Sequence, residues 1–394
     1  MKKLLSVMMV MAFALSMLAG CGGGATESTG AGSADAGSVF RIGAIGPATG
    51  AAAIYGSAVK NGAQIAIDEI NENGGINGAQ IEYNFQDDVH DAEKSKNAYN
   101  TLKDWGMQML LGTVTTTPCL SVAPLAVQDN TFMITPSASS PDVLVGPNVF
   151  QVCFTDPNQG SKSAEYIAEN KLATKIGIIY NSADVYSTGI KDKFVEEAKA
   201  KGLEIVSDEA FTEDSKTDFT TQLKAAQDGG AELVFLPIYY QEASIILKQA
   251  KKDMGYSPIF FGVDGMDGIL TVENFDTSLA EGVMLLTPFA ADSDDEAVQS
   301  FVQKYQEQYG DVPNQFAADA YDGIYAIKEA AEKAGVTPDM SAQEICDAMV
   351  AVMPEINIKG LTGGDEGLQW SDTGEVNKQP KAVVIKDGKY ESME

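Results

Sequence analysis

The sequence predicts an α/β fold made of two similar open lobes, each a parallel sheet with helices on both faces. Three observations support it. Short β-rich runs alternate with longer segments of helical period from Val39 onward, and the alternation starts afresh after residue 156. About 355 residues follow position 38, more than one ordinary hydrophobic core holds.

The N-terminal end is read first. Lys2 and Lys3 precede an apolar run from Leu4 to Leu18, and the small residues Ala19 and Gly20 come before Cys21. Residues 1–20 therefore read as a secretory signal peptide, because the run is too short to span a bilayer and no stop-transfer charges follow it. The tetrad Leu18-Ala19-Gly20-Cys21 matches a bacterial lipoprotein cleavage box, which makes Cys21 the expected lipidation site. Residues 21–38 have almost nothing apolar to bury and read as a flexible tether.

In the first lobe, VFRIGAI (39–45) is the opening strand. Residues 57–73 set Val59, Ala63, Ile67 and Ile70 on one helical face. Strand 81–87, a polar helix ending at Trp105, strand 107–112, a helix near 119–129 and strand 131–135 follow. The second block begins after FQVCFTD (150–156), with helices 158–170, 187–201, 217–227 and 241–254 interleaved with strands 175–180, 203–211, 232–238 and 258–262. A strand at 282–289 precedes helical stretches at 294–309, 315–334 and 341–352. KAVVIKDGKY (381–390) ends the chain as a hairpin turning at Asp387-Gly388. The expected boundaries are 39–157 plus 289–377 for lobe 1 and 158–288 plus 378–394 for lobe 2, so the chain crosses between lobes more than once.

Composition narrows the chemistry. The formal net charge is −29 with no basic stripe, a surface that repels nucleic acid and anionic headgroups. The single histidine, His90 in DDVHDAE, cannot build a multi-histidine metal site and reads as a solvated loop residue. Neither a GxSxG elbow nor a GxxxxGK[ST] phosphate loop occurs. Cys119, Cys153 and Cys346 lack zinc spacing; Cys119 with Cys153 is the pair to test for a disulfide, with buried free thiols the equal alternative. No cofactor and no catalytic residue is expected. Arg41 is the sole arginine, so unless it reaches the cleft a solute carboxylate must be met by hydroxyls and backbone N–H groups.

Four stretches carry a family resemblance: RIGAIGPATGAAAIYGSAVKNGAQIAIDEINENGGINGAQIEYNFQDD (41–88), GTVTTTP (112–118), ITPSASSPDVL (134–144) and FQVCFTDPNQG (150–160). Together they resemble the leucine/isoleucine/valine-binding protein family, with the type I periplasmic-binding-protein fold. The resemblance implies two lobes joined by a multi-stranded hinge of three crossovers, with the ligand cleft between them. It also implies a lipoprotein at the outer face of the cell membrane that hands an amino acid, branched-chain or similar, to an ABC permease, working as a monomer and not as an enzyme. A ligand-sensing lipoprotein serving a signalling partner and an exported hydrolase are the alternatives.

Site residues follow from the matching positions. Val114, Thr115 and Thr116 lie just beyond one strand, and Ser137, Ala138 and Ser139 beyond the next, where hydroxyls and free N–H groups face the crevice. The resemblance implies that an α-carboxylate lies between these loops, with Thr116 and Ser139 as donors and Ser137 as a backbone contact. It places an acid for the α-ammonium at Asp264, with Asp319 as substitute. Tyr55, Tyr186, Tyr239 and Phe316 align with residues enclosing the ligand side chain. Any one of them would serve equally as core; four at loop positions beside strand ends point to a pocket.

Overall fold

A computed structural model describes residues 38–393. The expected signal peptide, most of the tether and Cys21 lie outside the described residues.

The first sheet is built from βα units: β1 (Phe40–Gly46), α1 (Ala53–Glu72), β2 (Ile81–Asp87), α2 (Ala92–Trp105), β3 (Met109–Gly112), α3 (Thr116–Asp129), β4 (Phe132–Thr135) and β5 (Val149–Gln151). Its strands are all parallel, in the order β2-β1-β3-β4-β5. MLLG and FMIT are buried at every position, as parallel strands covered on both faces must be.

The second sheet repeats the scheme with α4 (Asp156–Glu169), β6 (Lys175–Asn181), α5 (Val185–Ala200), β7 (Glu204–Phe211), α6 (Thr220–Asp228), β8 (Leu233–Leu236), α7 (Tyr240–Lys248), β9 (Ile259–Gly262) and β10 (Met284–Thr287). The chain then returns to the first lobe with α8 (Glu296–Tyr309), α9 (Gln315–Ala334) and α10 (Ala342–Val352), followed by the short pair β11 (Asn357–Ile358) and β12 (Leu368–Gln369). α8 and α9 pack on α1, and α10 packs on β4. A third crossing delivers β13 (Lys381–Lys386) and β14 (Lys389–Ser392), which extend the second sheet.

Several details refine the sequence reading. The second sheet is mixed, since β13 pairs antiparallel with β10 and only β7-β6-β8-β9-β10 is parallel. α3 begins at Thr116, because Pro118 is tolerated in a first turn where its missing N–H is not needed. α1 likewise begins at Ala53, so Tyr55 stands on a helix. The three cysteines are buried free thiols, with no Cys119–Cys153 bond.

The third crossing is pinned to the first lobe by a buried ion pair. Lys378 Nζ lies 2.6 Å from Asp319 Oδ1 on α9, with both side chains almost fully enclosed. Asp319, proposed from sequence as a spare partner for a ligand ammonium, is thus already committed. Burial still holds its carboxyl up at about 6.

Close approach of α1 and α9 requires Gly62, where a Cβ would stand 2.0 Å from the Ala317 carbonyl oxygen. Helix propensity alone favours alanine by about 1 kcal/mol. Gly62→Ala is nonetheless expected to destabilise the protein by about 1–3 kcal/mol, because overpacking outweighs propensity. Denaturant unfolding checks the sign; a stabilised variant would contradict the packing.

Candidate functional site

The parallel strands of both sheets end toward one gap, the crevice where open α/β folds place ligands. A small cavity there is walled from both lobes. Lobe 1 contributes Tyr55, Val114, Thr115, Thr116, Ser137 and Phe316, and lobe 2 contributes Tyr186, Tyr239, Asp264 and Gly265.

On the lobe 1 wall, Thr115 is the extended N-cap of α3, so the first turn of that helix opens at the cavity. Thr116 Oγ1 is buried without a hydrogen-bond partner, and so is Ser139 Oγ. The loop after β4 is held rigid from behind. The Thr135 hydroxyl donates to the Thr113 carbonyl (2.6 Å) and accepts from the Ala138 N–H (2.9 Å). The Gln151 side-chain amide donates to the Ala138 and Ser140 carbonyls at 2.7 and 3.0 Å. The Ser137 hydroxyl donates to the Val114 carbonyl (2.6 Å), tying the two loops together.

Lobe 2 presents acid and aromatic surface. Asp264 is 3 % exposed, and one of its oxygens accepts a 2.5 Å hydrogen bond from the Tyr186 hydroxyl. Burial pushes its carboxyl up to about 7. Asp156 is buried with neither oxygen paired, its carboxyl pushed well above the usual range by desolvation. Burial likewise raises Asp184, one oxygen of which is unpaired, to about 6. Negative charge on this side has no buried basic counterweight at hydrogen-bond distance among the described residues.

The aromatic side chains close the space between the walls. Tyr186 and Tyr239 stack with ring centroids 4.8 Å apart, and Tyr55 lies against Phe316 at 4.4 Å. The Tyr55 hydroxyl donates to the Gly265 carbonyl and accepts from the Tyr240 N–H (3.2 Å), so one side chain joins the lobes. A Cβ at Gly265 would stand 2.5 Å from the Tyr186 hydroxyl.

Of the eleven residues named from sequence, nine line the cavity. Ala138 and Ser139 do not: Ala138 packs in the core beside Met133, and the Ser139 hydroxyl lies beside Asp156 without a well-formed hydrogen bond. The aromatic residues stand not in loops but at helix starts, Tyr239 as the N-cap of α7 and the other three within first turns. Arg41 stays out of the cleft, exposed and paired with Glu82 at 3.3 Å. His90 is not a solvated loop residue; its Nδ1 sits 2.8 Å from Thr115 Oγ1 and its ring meets Tyr239 edge-on. Sequence reasoning also missed Gly265, Asp156 and Asp184. Asp156 lies within FQVCFTDPNQG, where its presence in a matching motif was the available signal.

Known proteins resemble this chain along most of its length. The periplasmic binding protein family matches residues 39–386. A Leu/Ile/Val-binding protein homolog 3 of Brucella melitensis is 28% identical over 358 residues, 90% of this chain and 93% of the relative. The leucine-, isoleucine-, valine-, threonine-, and alanine-binding protein of Pseudomonas aeruginosa is 26% identical, over 83% of this chain and 87% of the relative. Among solved structures, the branched-chain amino acid transporter substrate binding protein LivJ of Streptococcus pneumoniae, in complex with isoleucine, superposes with a TM-score of 0.80 at 27% identity, covering 90% of this chain and 98% of that one. With the family model matching nearly its whole described length, the chain belongs to the periplasmic binding protein family.

Proposed function

We propose that this protein captures a single amino acid with an aliphatic side chain and delivers it to an ABC importer, from the outer face of the membrane and anchored by lipid on Cys21. The observation that carries the reading is the opposition of the two walls. Lobe 1 offers an unpaired buried hydroxyl and an open helix start, both suited to a carboxylate, while lobe 2 offers buried acids suited to an ammonium. A zwitterion satisfies both at once. The names of the curated relatives, and isoleucine in the LivJ complex, support the choice of solute.

In this reading the solute docks on Thr116 and its loop, and closure brings Tyr186, Tyr239 and Asp264 over it. Contacts made only in the closed form shift the population toward closure. An exported hydrolase has one feature in its favour, the Thr115–His90 pair, which has the look of a nucleophile and base. Leucinamide recovered intact after incubation with the protein would remove that alternative.

Asp264→Asn should weaken leucine binding by about 2–5 kcal/mol, because the ammonium would be buried without its charged partner. Isothermal calorimetry decides it; parent-like affinity would show that the ammonium is held elsewhere.

The raised Asp264 carboxyl also sets a pH dependence. An ammonium needs the ionised form, and below about pH 7 a bound proton must first be displaced. Affinity for leucine should therefore be greatest above pH 7 and fall as pH drops through 7, by up to about tenfold per unit. Calorimetry across this range checks the sign, and tighter binding in acid would overturn the assignment.

Cys21→Ser should leave the protein unlipidated and release it from the membrane fraction. Detergent phase partitioning reads the outcome, and an unchanged partition would refute the anchor.

A further inference from the structure

Helix α3 starts without a side-chain cap, although Thr115, a good capping residue type, occupies its N-cap position in extended geometry. Four α-helices among the described residues carry such a cap, whereas α1 and α4 to α7 do not. Asp91, Asp295, Asn314 and Ser341 each accept from a first-turn N–H of α2, α8, α9 and α10. At α3 the hydroxyl is engaged elsewhere, 2.8 Å from the imidazole Nδ1 of His90.

The local sequence sharpens the consequence. Pro118, third in the helix, has no N–H, so the Thr117 N–H is the donor a Thr115 hydroxyl could cap. Neither the Thr116 nor the Thr117 N–H finds an acceptor among the described residues. Beside them Thr116 Oγ1, in a side chain only 1 % exposed, lines the cavity without a partner.

The loop that carries His90 is built to hold it there. Val89 and His90 both adopt left-handed backbone, with φ of 55° and 59°, an uncommon state for a β-branched residue. Two carboxylates fix that conformation: Asp87 accepts from the Val89 N–H and Asp88 from the His90 N–H, each at 2.9 Å. The Ser95 hydroxyl holds Asp88 in turn, at 3.1 Å. Across the cleft, the imidazole meets the Tyr239 ring edge-on at 5.8 Å.

We infer that His90 is a positioning residue that keeps Thr115 from capping its own helix, so that the first-turn N–H groups of α3 stay open to the carboxylate of the bound solute. The inference rests on the amino-acid reading above. Without His90, the Thr115 hydroxyl swings to the Thr117 N–H and the solute must displace it. The competitor is intramolecular and always present, so the loss appears as weaker binding of carboxylates in a protein that is otherwise folded.

The test uses calorimetry of the full chain with leucine and leucinamide, together with amide hydrogen exchange followed by NMR. His90→Phe keeps an aromatic ring against Tyr239 but has no nitrogen; it should bind leucine about five- to tenfold more weakly, the usual value of a cap. Leucinamide binding should change by less than about twofold, since an amide gains little from the open helix start. His90→Asn sets an amide where Nδ1 stands and tolerates left-handed backbone, and it should restore leucine affinity to within about twofold. In a Thr115→Val background, which has no hydroxyl to redirect, His90→Phe should have no further effect. In the parent, the Thr117 amide should exchange freely without solute and become protected with leucine. Parent-like leucine binding by His90→Phe, the same loss in the Thr115→Val background, or a Thr117 amide protected without leucine would each overturn the inference, and the last is read on the parent whether or not a variant folds. A parent that binds leucinamide as tightly as leucine would instead sink the amino-acid reading beneath it, and the inference with it.

Discussion

Most parallel strands among the described residues run through a turn into a helix, and both sheets point those turns at the same gap. That topological constraint decides where chemistry can sit. Core residues cannot supply it, because MLLG, FMIT and their counterparts are buried on both faces. The strand ends supply helix starts instead, with Thr115 before α3, Asp184 before α5 and Tyr239 before α7. Helix starts concentrate N–H donors and positive potential. A chain with one arginine can therefore receive a carboxylate without a guanidinium.

The buried acids of lobe 2 carry the opposite cost. Asp156, Asp184 and Asp264 are all driven toward their neutral forms by desolvation, because enclosure in the cleft strips them of water. An ammonium relieves that cost in a way a neutral solute cannot. Tyr55 works in the other direction, since its hydroxyl ties lobe 1 to the Gly265 and Tyr240 backbone. The cleft thus sets an aromatic bridge against acids that resist burial.

Much of this was legible in the sequence because it is written in local pattern. β2 at 81–87 and α9 at 315–334 have the bounds that periodicity predicts, since each is framed by residues that stop it. The start of α3 was misjudged by three residues because proline reads as a breaker, although in a first turn it is not one. Eight of the nine proposed site residues that meet at the cavity follow strand ends, a position that sequence order reveals, while Phe316 opens α9 just after α8. His90 was not recoverable in this way. Its contacts run to Thr115, twenty-five residues on, and to Tyr239 in the other lobe, pairings that exist only once two loops and two lobes are folded together. The same holds for Asp319, whose commitment to Lys378 joins positions fifty-nine residues apart.

Gly265 restricts how this cleft can change over evolutionary time. Its N–H donates to the Tyr186 hydroxyl at 2.9 Å, its carbonyl accepts from Tyr55, and the Ile238 carbonyl lies 3.0 Å from where a Cβ would stand. Any side chain there drives Tyr186 off Asp264 and loosens the bridge between lobes in the same step. Drift at this position is closed, and so is gradual retuning of the acid through it. Descendants of this protein can acquire a new appetite most readily at Val114 and Phe316, where the cavity is lined by apolar side chains that make no polar bond and can be exchanged for larger or smaller ones.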